Sequence, residues 1–366
     1  MSAEEPAKKK LKTVYDFSKF QVGNSHFEKL PNEILLKIVD YLHIGDLLRC
    51  GQACRKARAV VHDESLWKKV DFSSDSLVPT GLLQLILEHG CEYLNIGDQL
   101  FGDLNLNLGS KLKFLNLDLK HSYNDANEIF DPLLSSCHSL EKLQLNHLYL
   151  DSSLISSICT QNSKTLKVLK LNWGKSRSSY RPYITLGAIQ PIIDQCVELE
   201  ELTFCQTRLS QGSINYLVKN ITPKVSKLCL CTNVDIRDEH IHTLVGRCAN
   251  LTELDVKNTS ITTDSLNYII EKLQSTLQKL GLPGRFFLRP ANFTKLFDLK
   301  AMKKLTVLDL HQELISDQDF LDRQNYSELP TESLRLQLSN VEIVHMWPVL
   351  VKKGLSGNMS NFRRYE

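Results

Sequence analysis

From residue 91 onward the chain repeats one short pattern, apolar-x-x-apolar-x-apolar. It occurs as Cys91/Leu94/Ile96, Leu112/Leu115/Leu117, Leu140/Leu143/Leu145, Leu166/Leu169/Leu171 and Leu199/Leu202/Phe204. It continues as Val225/Leu228/Leu230, Leu251/Leu254/Val256, Leu277/Leu280/Leu282 and Leu305/Leu308/Leu310, then a degraded Leu336/Leu338. From first position to first position the steps are 21, 28, 26, 33, 26, 26, 26 and 28 residues. Those lengths fall in the range of leucine-rich repeats, whose units cannot bury an apolar side alone and stack on their neighbours. Alternation within each segment predicts a short strand with its leucines on one side. Between strands, stretches such as Asp238 to Cys248 and Asp264 to Leu273 have the spacing of amphipathic helices. Helices are wider than strands, so the expected stack curves, with a parallel sheet on the concave side and helices on the convex side. The predicted class is α/β: a small three-helix unit followed by a curved leucine-rich-repeat solenoid.

The three-helix unit is read between Phe27 and Phe72. Ile34, Leu35, Ile38, Val39 and Leu42 fall at i, i+1, i+4, i+5 and i+8, the spacing of one helix face. Pro31 suits a first helical turn, where its missing N–H has no partner to lose, and Gly45-Asp46 reads as a stop and a fresh N-cap. A second helix is predicted through Leu47, Leu48 and Cys54. A short third one carries Leu66 and a buried Trp67 after Asp63 as its cap. A unit of about 45 residues is near the lower size limit for an independent core, so it is expected to need a partner.

These residues carry a resemblance. Leu30-Pro31-x-Glu33-Ile34-Leu35-Leu36-x-Ile38, then Tyr41-Leu42, Asp46-Leu47-Leu48-Arg49, Cys54-Arg55 and Leu66-Trp67, resemble the F-box over nearly all of that motif. With the repeats that follow, the chain is similar to the F-box and leucine-rich-repeat proteins that act as substrate receptors of SCF ubiquitin ligases. In that family the F-box docks the SCF linker subunit, which binds a cullin carrying the RING protein. The resemblance implies that Leu30, Pro31, Ile34, Leu35, Ile38, Leu42, Leu47 and Leu48 contribute to the linker interface. It also implies a receptor that is not itself an enzyme and brings a protein substrate to the ligase for degradation. One position departs: the family often has Trp two residues after its Cys-Arg pair, and Ala57 stands there, a change expected to loosen the second helix. A repeat scaffold whose F-box tethers it without degradation is the alternative, and RNA binding is a third reading.

The expected organisation is a disordered basic tail over 1–24, the F-box over 25–72, and a linker with the first repeat helix over 73–90. About ten repeats follow over 91–340, then a C-terminal cap over 341–366. Within the tail, Lys8, Lys9, Lys10 and Lys12 beside Pro6 resemble a nuclear localisation signal, so nucleus and cytoplasm are the expected compartments. Lys plus Arg number 44 against 42 for Asp plus Glu, a net charge of +2 that provides no overall basic field for a nucleic-acid partner. No run approaches the ~18 apolar residues of a membrane span, so no membrane partner is expected. The ten cysteines are read as reduced thiols, because no secretory signal accompanies them. Cys137, Cys196 and Cys248 each fall three residues before the first leucine of a strand, which suits a small buried hydrophobe. Cys229-x-Cys231 lacks a second ligand pair at zinc spacing, so no metal is expected. No Gly-x-Ser-x-Gly elbow, Walker loop or His-Glu-x-x-His is present, and no catalytic residue or cofactor is assigned.

Substrate contact is assigned to the outward strand positions. Candidates are Asn116, Lys142, Asn146, Lys170, Asn172, Lys227 and Asp255, set among Asp118, Gln144, Glu201, Glu253 and Lys257. Both charge signs occur, which suits a protein ligand better than a phosphate backbone. The 33-residue step opens an insertion with Trp173, Arg177, Tyr180 and Arg181, the aromatic and basic mixture enriched at interface hot spots. Its arginines suit a phosphorylated target.

Overall fold

The computed structural model describes residues 29–72, 78–97, 100–101, 109–118, 126–147, 151–172, 183–311 and 330–344. The chain divides into two compact units, Met1–Lys68 and Lys69–Glu366. The basic tail with Lys8, Lys9, Lys10 and Lys12, the insertion with Trp173, Arg177, Tyr180 and Arg181, and the segment after Val344 lie outside the described residues.

In the first unit, helix α1 spans Asn32–Val39, α2 Ile44–Ala53 and α3 Arg55–Val61, and a 3-10 turn covers Glu64–Trp67. Three details of the sequence reading are corrected. Pro31 is the N-cap rather than a residue of the first turn, and its carbonyl accepts from the amides of Ile34 and Leu35, each at 3.1 Å. Gly45 and Asp46 lie inside the first turn of α2, where the Asp46 carboxylate suits the positive end of the helix dipole. The second helix stops at Cys54, whose backbone is extended and whose Sγ accepts from the Ala57 amide at 3.3 Å, so α3 begins there. Ala57 therefore belongs to α3, where it is fully packed. Asp63 caps the last turn through Ser65 as expected, at 3.0 Å. Trp67 is buried and donates from Nε1 to the carbonyl of Val61 at 2.6 Å.

The second unit is built on one parallel sheet of eleven strands in chain order. They are β1 (Lys69–Phe72), β2 (Tyr93–Ile96), β3 (Phe114–Asp118), β4 (Lys142–Asn146), β5 (Val168–Asn172) and β6 (Glu201–Cys205), continued by β7 (Lys227–Cys229), β8 (Glu253–Asp255), β9 (Lys279–Gly281), β10 (Val307–Asp309) and β11 (Glu342–Val344). The central frame position sets the register: Leu94, Leu115, Leu143, Leu169, Leu202, Leu228, Leu254, Leu280 and Leu308 face one another across successive strands. These leucines are buried, and the residues between them are part-exposed on the other face. Returning helices α4 (Thr80–Glu88), α5 (Ala126–Ser135), α6 (Ser152–Gln161), α7 (Leu186–Gln195), α8 (Gln211–Asn220), α9 (Asp238–Arg247) and α10 (Thr263–Leu273) bury their own apolar stripes. Among the described residues no helix is long and apolar enough to cross a membrane.

Two ends of the sheet differ from the sequence pattern. Lys69–Phe72, assigned to the F-box, is the first strand, with Val70 and Phe72 buried opposite Leu94 and Ile96. At the other end, Leu336 sits on the helix Thr331–Gln337 and is exposed, while Ile343 of β11 pairs with Leu308. With Ile343 opposite Leu308, Ile343 is the central position of the last frame and Asn340 falls at its first, so no apolar residue opens it. Leu334 and Leu338 share a helix face at i, i+4, and that spacing outweighs the two-residue alternation of Leu336 and Leu338.

Two buried asparagines staple neighbouring repeats. Asn162 accepts from the Leu140 amide at 2.8 Å and donates to the carbonyls of Cys137 and Ile158, each at 2.9 Å. Asn233 accepts from the Leu209 amide at 3.1 Å and donates to the carbonyls of Phe204, Leu230 and Cys231. After strands or their extensions the backbone turns through left-handed residues His147, Gln206, Thr232 and Asn258, with φ between 53° and 64°. Each stands two residues beyond the last apolar residue of its frame, so this turn recurs with the repeat.

Candidate functional site

Two surfaces present chemistry. On the first unit, α1 divides its apolar residues: Leu35 and Val39 are buried, whereas Ile34 is 43% exposed, Ile38 48%, Leu42 37% and the neighbouring Tyr41 90%. Successive residues on a helix are ~100° apart, so a five-residue apolar set is wider than the face that so small a unit can cover. Of the candidate linker-binding residues, Pro31, Ile34, Ile38 and Leu42 are exposed, Leu30 and Leu48 are half-buried, and Leu35 and Leu47 are buried. Leu35 and Leu47 hold the unit together rather than face outward. Tyr41, quoted in the motif but not assigned to the interface, is the most exposed of the set.

The second surface is the sheet face opposite the leucines. Its side chains form rows, because register places equivalent positions of adjacent repeats side by side. One row runs Lys69, Tyr93, Phe114, Lys142, Val168, Glu201, Lys227, Glu253, Lys279. Tyr93 and Phe114 stack with centroids 4.0 Å apart, flanked by the Lys69 ammonium over Tyr93 at 5.0 Å and the Lys142 ammonium over Phe114 at 4.9 Å. This aromatic pair was not among the sequence candidates, although both residues immediately precede the central leucine of their frames, as Lys142 and Lys227 do. Farther along, Lys227 and Lys279 both pair with Glu253, at 3.0 and 3.4 Å. Burial and the neighbouring Lys170 charge push the Lys142 ammonium below the usual lysine range.

The next row runs Asp71, Asn95, Asn116, Gln144, Lys170, Thr203, Cys229, Asp255, Gly281, Asp309. Its first members form a hydrogen-bonded ladder, Asn116 to Asn95 at 2.7 Å and Asn95 to Asp71 at 2.9 Å. Lys170 crosses diagonally to Glu201 at 2.5 Å. Asn146 and Asn172 lie side by side in a third row with Asp118 and Cys205. The sheet thus assembles Asn116, Lys142, Asn146, Lys170, Asn172, Lys227 and Asp255 on one face.

At the far end of that face Lys257 binds two carboxylates. Its ammonium pairs with Asp309 and lies 3.5 Å from Asp255, and its amide donates to Asp255 Oδ1 at 3.0 Å. Gly281, between the two acids, permits this: a Cβ there would stand 2.5 Å from Asp255 Oδ1 and 3.2 Å from Lys257 Cγ. Burial holds the Asp255 carboxyl above the usual carboxylate range despite Lys257. Burial alone would lower the Lys257 ammonium, but Asp255 and Asp309 outweigh it and hold it above the usual lysine range. Lys257→Met is expected to lower stability by about 2 kcal/mol at about pH 7, less than for fully buried pairs because all three side chains retain some exposure. A carboxyl with a raised folded pKa destabilises the fold above that pKa and ceases to do so when protonated. The gap between variant and wild type in urea unfolding should therefore narrow as pH falls through the raised folded pKa of Asp255, and a gap unchanged by pH would refute the ion-pair account.

The cysteines divide into two groups. Burial pushes the Cys91 and Cys137 thiols up to about 12 and that of Cys248 up to about 11, as expected of inert packing residues. Cys205 and Cys231 instead form a disulfide, which corrects the reading of all ten as reduced thiols. They occupy equivalent positions of adjacent repeats, 26 residues apart, and their Cα atoms are 5.0 Å from each other, inside the range a disulfide spans.

Residues 27–73 match the F-box-like family model, and residues 81–322 match the family model of the SKP2 LRR domain. The chain belongs to the SKP2 LRR domain family. The F-box and repeat class implied by the motifs, and its parallel-sheet fold, are therefore established. Within this family setting, F-box/LRR-repeat protein 21 of Bos taurus is 25% identical over 210 residues, covering 50% of this chain and 46% of that protein. F-box/LRR-repeat protein 12 of Bos taurus is 22% identical over 306 residues, 81% of this chain and 83% of that protein. The chain thus spans about half the length of the protein 21 relatives. Among solved structures, that of the Rad7 and Elc1 complex in yeast is similar at 16% identity and a TM-score of 0.42, covering 77% of this chain and 89% of that one. An F-box followed by leucine-rich repeats is the arrangement of SCF substrate-receptor families, whose members are generally non-catalytic adaptors.

Proposed function

We propose that this chain is the substrate-recognition subunit of an SCF-type E3 ubiquitin ligase. The observation that carries the reading is the exposed apolar stripe of Ile34, Ile38, Tyr41 and Leu42 on a unit that matches the F-box-like family. Contiguous large apolar side chains left in water mark a protein-docking face. The F-box docks the linker subunit and, through it, the cullin and RING protein. The open face of the repeat sheet holds a protein target, with mixed charges and the Tyr93–Phe114 stack as its recognition groups. Arg177 and Arg181 in the insertion suit a phosphorylated segment of that target. The mechanism is proximity: two interfaces on one chain raise the effective concentration of target lysines at the charged conjugating enzyme. Neither interface requires a catalytic residue. The Lys8 to Lys12 cluster directs the receptor to the nucleus as well as the cytoplasm.

The test is light scattering on a gel-filtration column with the purified linker subunit, followed by target half-life in cells depleted of the chain. An equimolar complex and a lengthened half-life are expected. Without a complex the F-box is a structural remnant; a complex whose bound proteins keep their half-lives would point to the tethered scaffold instead.

A further inference from the structure

One side-chain cluster on the repeat sheet has no part in the receptor reading. Cys205 ends β6, Cys229 ends β7, and Cys231 follows two residues later; their three sulfurs lie within 4.8 Å of one another. The repeat produces this convergence. Its 26-residue step sets Cys231 beside Cys205, and register places Cys229 between Thr203 and Asp255. The backbone bearing the thiols is fixed by the buried Asn233, which donates to the carbonyls of Phe204 at 2.8 Å, Leu230 at 3.1 Å and Cys231 at 3.2 Å. The Gln206 amide adds a bond to the Cys231 carbonyl at 3.2 Å. The cluster is therefore held in place by groups that are not themselves ligands, as metal sites require.

A disulfide uses two sulfurs, and here there is a third, with Cys229 Sγ 3.7 Å from Asp255 Oδ2. We propose that, once the Cys205–Cys231 bond is reduced, Cys205, Cys229 and Cys231 form a three-thiolate site for a soft divalent cation of the zinc class. The fourth position is open to a water or to the Asp255 carboxylate. Tetrahedral zinc with Zn–S bonds of about 2.3 Å needs its sulfurs about 3.8 Å apart, a spacing these side chains reach by small rotations. Sulfur ligands select zinc-like ions over magnesium or calcium. Burial, then the Asp255 charge, raises the Cys229 thiol well above its usual range. A bound dication reverses that balance and deprotonates the thiol. The Lys257 ammonium beside the cluster offsets the negative charge of three thiolates on one dication.

The balance couples the site to redox state. Reducing the disulfide with an external dithiol takes up two electrons and two protons, giving two thiols while the dithiol becomes a disulfide. Binding one dication to three thiols then releases three protons. Closing the disulfide removes two of the three ligands, so disulfide and bound metal exclude each other. Cys229-x-Cys231 has no second ligand pair at zinc spacing along the chain, which is why no metal is expected from sequence; the third ligand, Cys205, comes from the neighbouring repeat.

The test uses the full chain, reduced with a phosphine, freed of metal and titrated anaerobically with cadmium as the zinc surrogate. One equivalent should saturate the thiolate-to-metal charge-transfer band, and zinc should displace it. Cys229→Ser should lose about a third of the band and bind at least about tenfold more weakly, while Cys248→Ser titrates like wild type. Cys205→Ala provides a second ligand variant should Cys229→Ser fail to fold. The inference is overturned if reduced wild type binds no cadmium, if Cys229→Ser and Cys205→Ala titrate like wild type, or if the oxidised chain binds as well as the reduced one.

Discussion

A chain carrying Ile34→Asp and Ile38→Asp is expected to lose the linker subunit while keeping its fold. Both side chains are close to half exposed in the free chain, so replacing them costs folding no more than about 0.5 kcal/mol each. In the complex each new carboxylate would be buried against apolar surface without a partner, and hot-spot losses are about 2 kcal/mol or more per residue. Two such losses amount to about 4 kcal/mol, roughly a thousandfold in Kd. The contrast with Leu35→Ala is instructive. Leu35 is fully buried, so its truncation would abolish binding by loosening the unit, and the result would not locate the interface. Titration calorimetry with the linker subunit, paired with urea unfolding of each variant, separates the two. Binding by the double Asp variant within about tenfold of wild type would remove α1 from the interface.

Trp67→Ala is expected to unfold the first unit. The indole is buried, and a Trp to Ala change in a core costs about 3–5 kcal/mol. It also strands the Val61 carbonyl that the indole N–H satisfies at 2.6 Å, adding about 1 kcal/mol. A unit this small has a total stability of only about 5 kcal/mol, so the loss consumes nearly all of it. Hydrogen exchange should show residues 29–68 losing protection, with linker binding lost as a consequence. Trp67→Phe keeps most of the volume and should cost less than half as much. Full protection in Trp67→Ala would mean that the packing around α3 does not depend on the indole.

The leucine period determined the repeat class, the parallel order of the strands and their register, because a recurring frame leaves equivalent positions only one way to stack even where the steps vary from 21 to 33 residues. The F-box motif likewise determined its family, and the outward strand positions named from the sequence do share one face. What the tertiary structure decided was which of several apolar or charged residues meets which neighbour. Ile34 and Leu35 look alike in sequence, but their ~100° separation on the helix leaves one exposed and one buried. Helix α3 was missed because its start depends on the extended backbone at Cys54 rather than on any apolar period. The Cys205–Cys231 bond joins residues 26 apart, and Lys257 reaches Asp309 across 52 residues and a side-chain-free Gly281. Periodicity is a property of neighbours along the chain, so it specifies the stack; contacts between repeats depend on side-chain shape and reach, which appear only once the stack has formed.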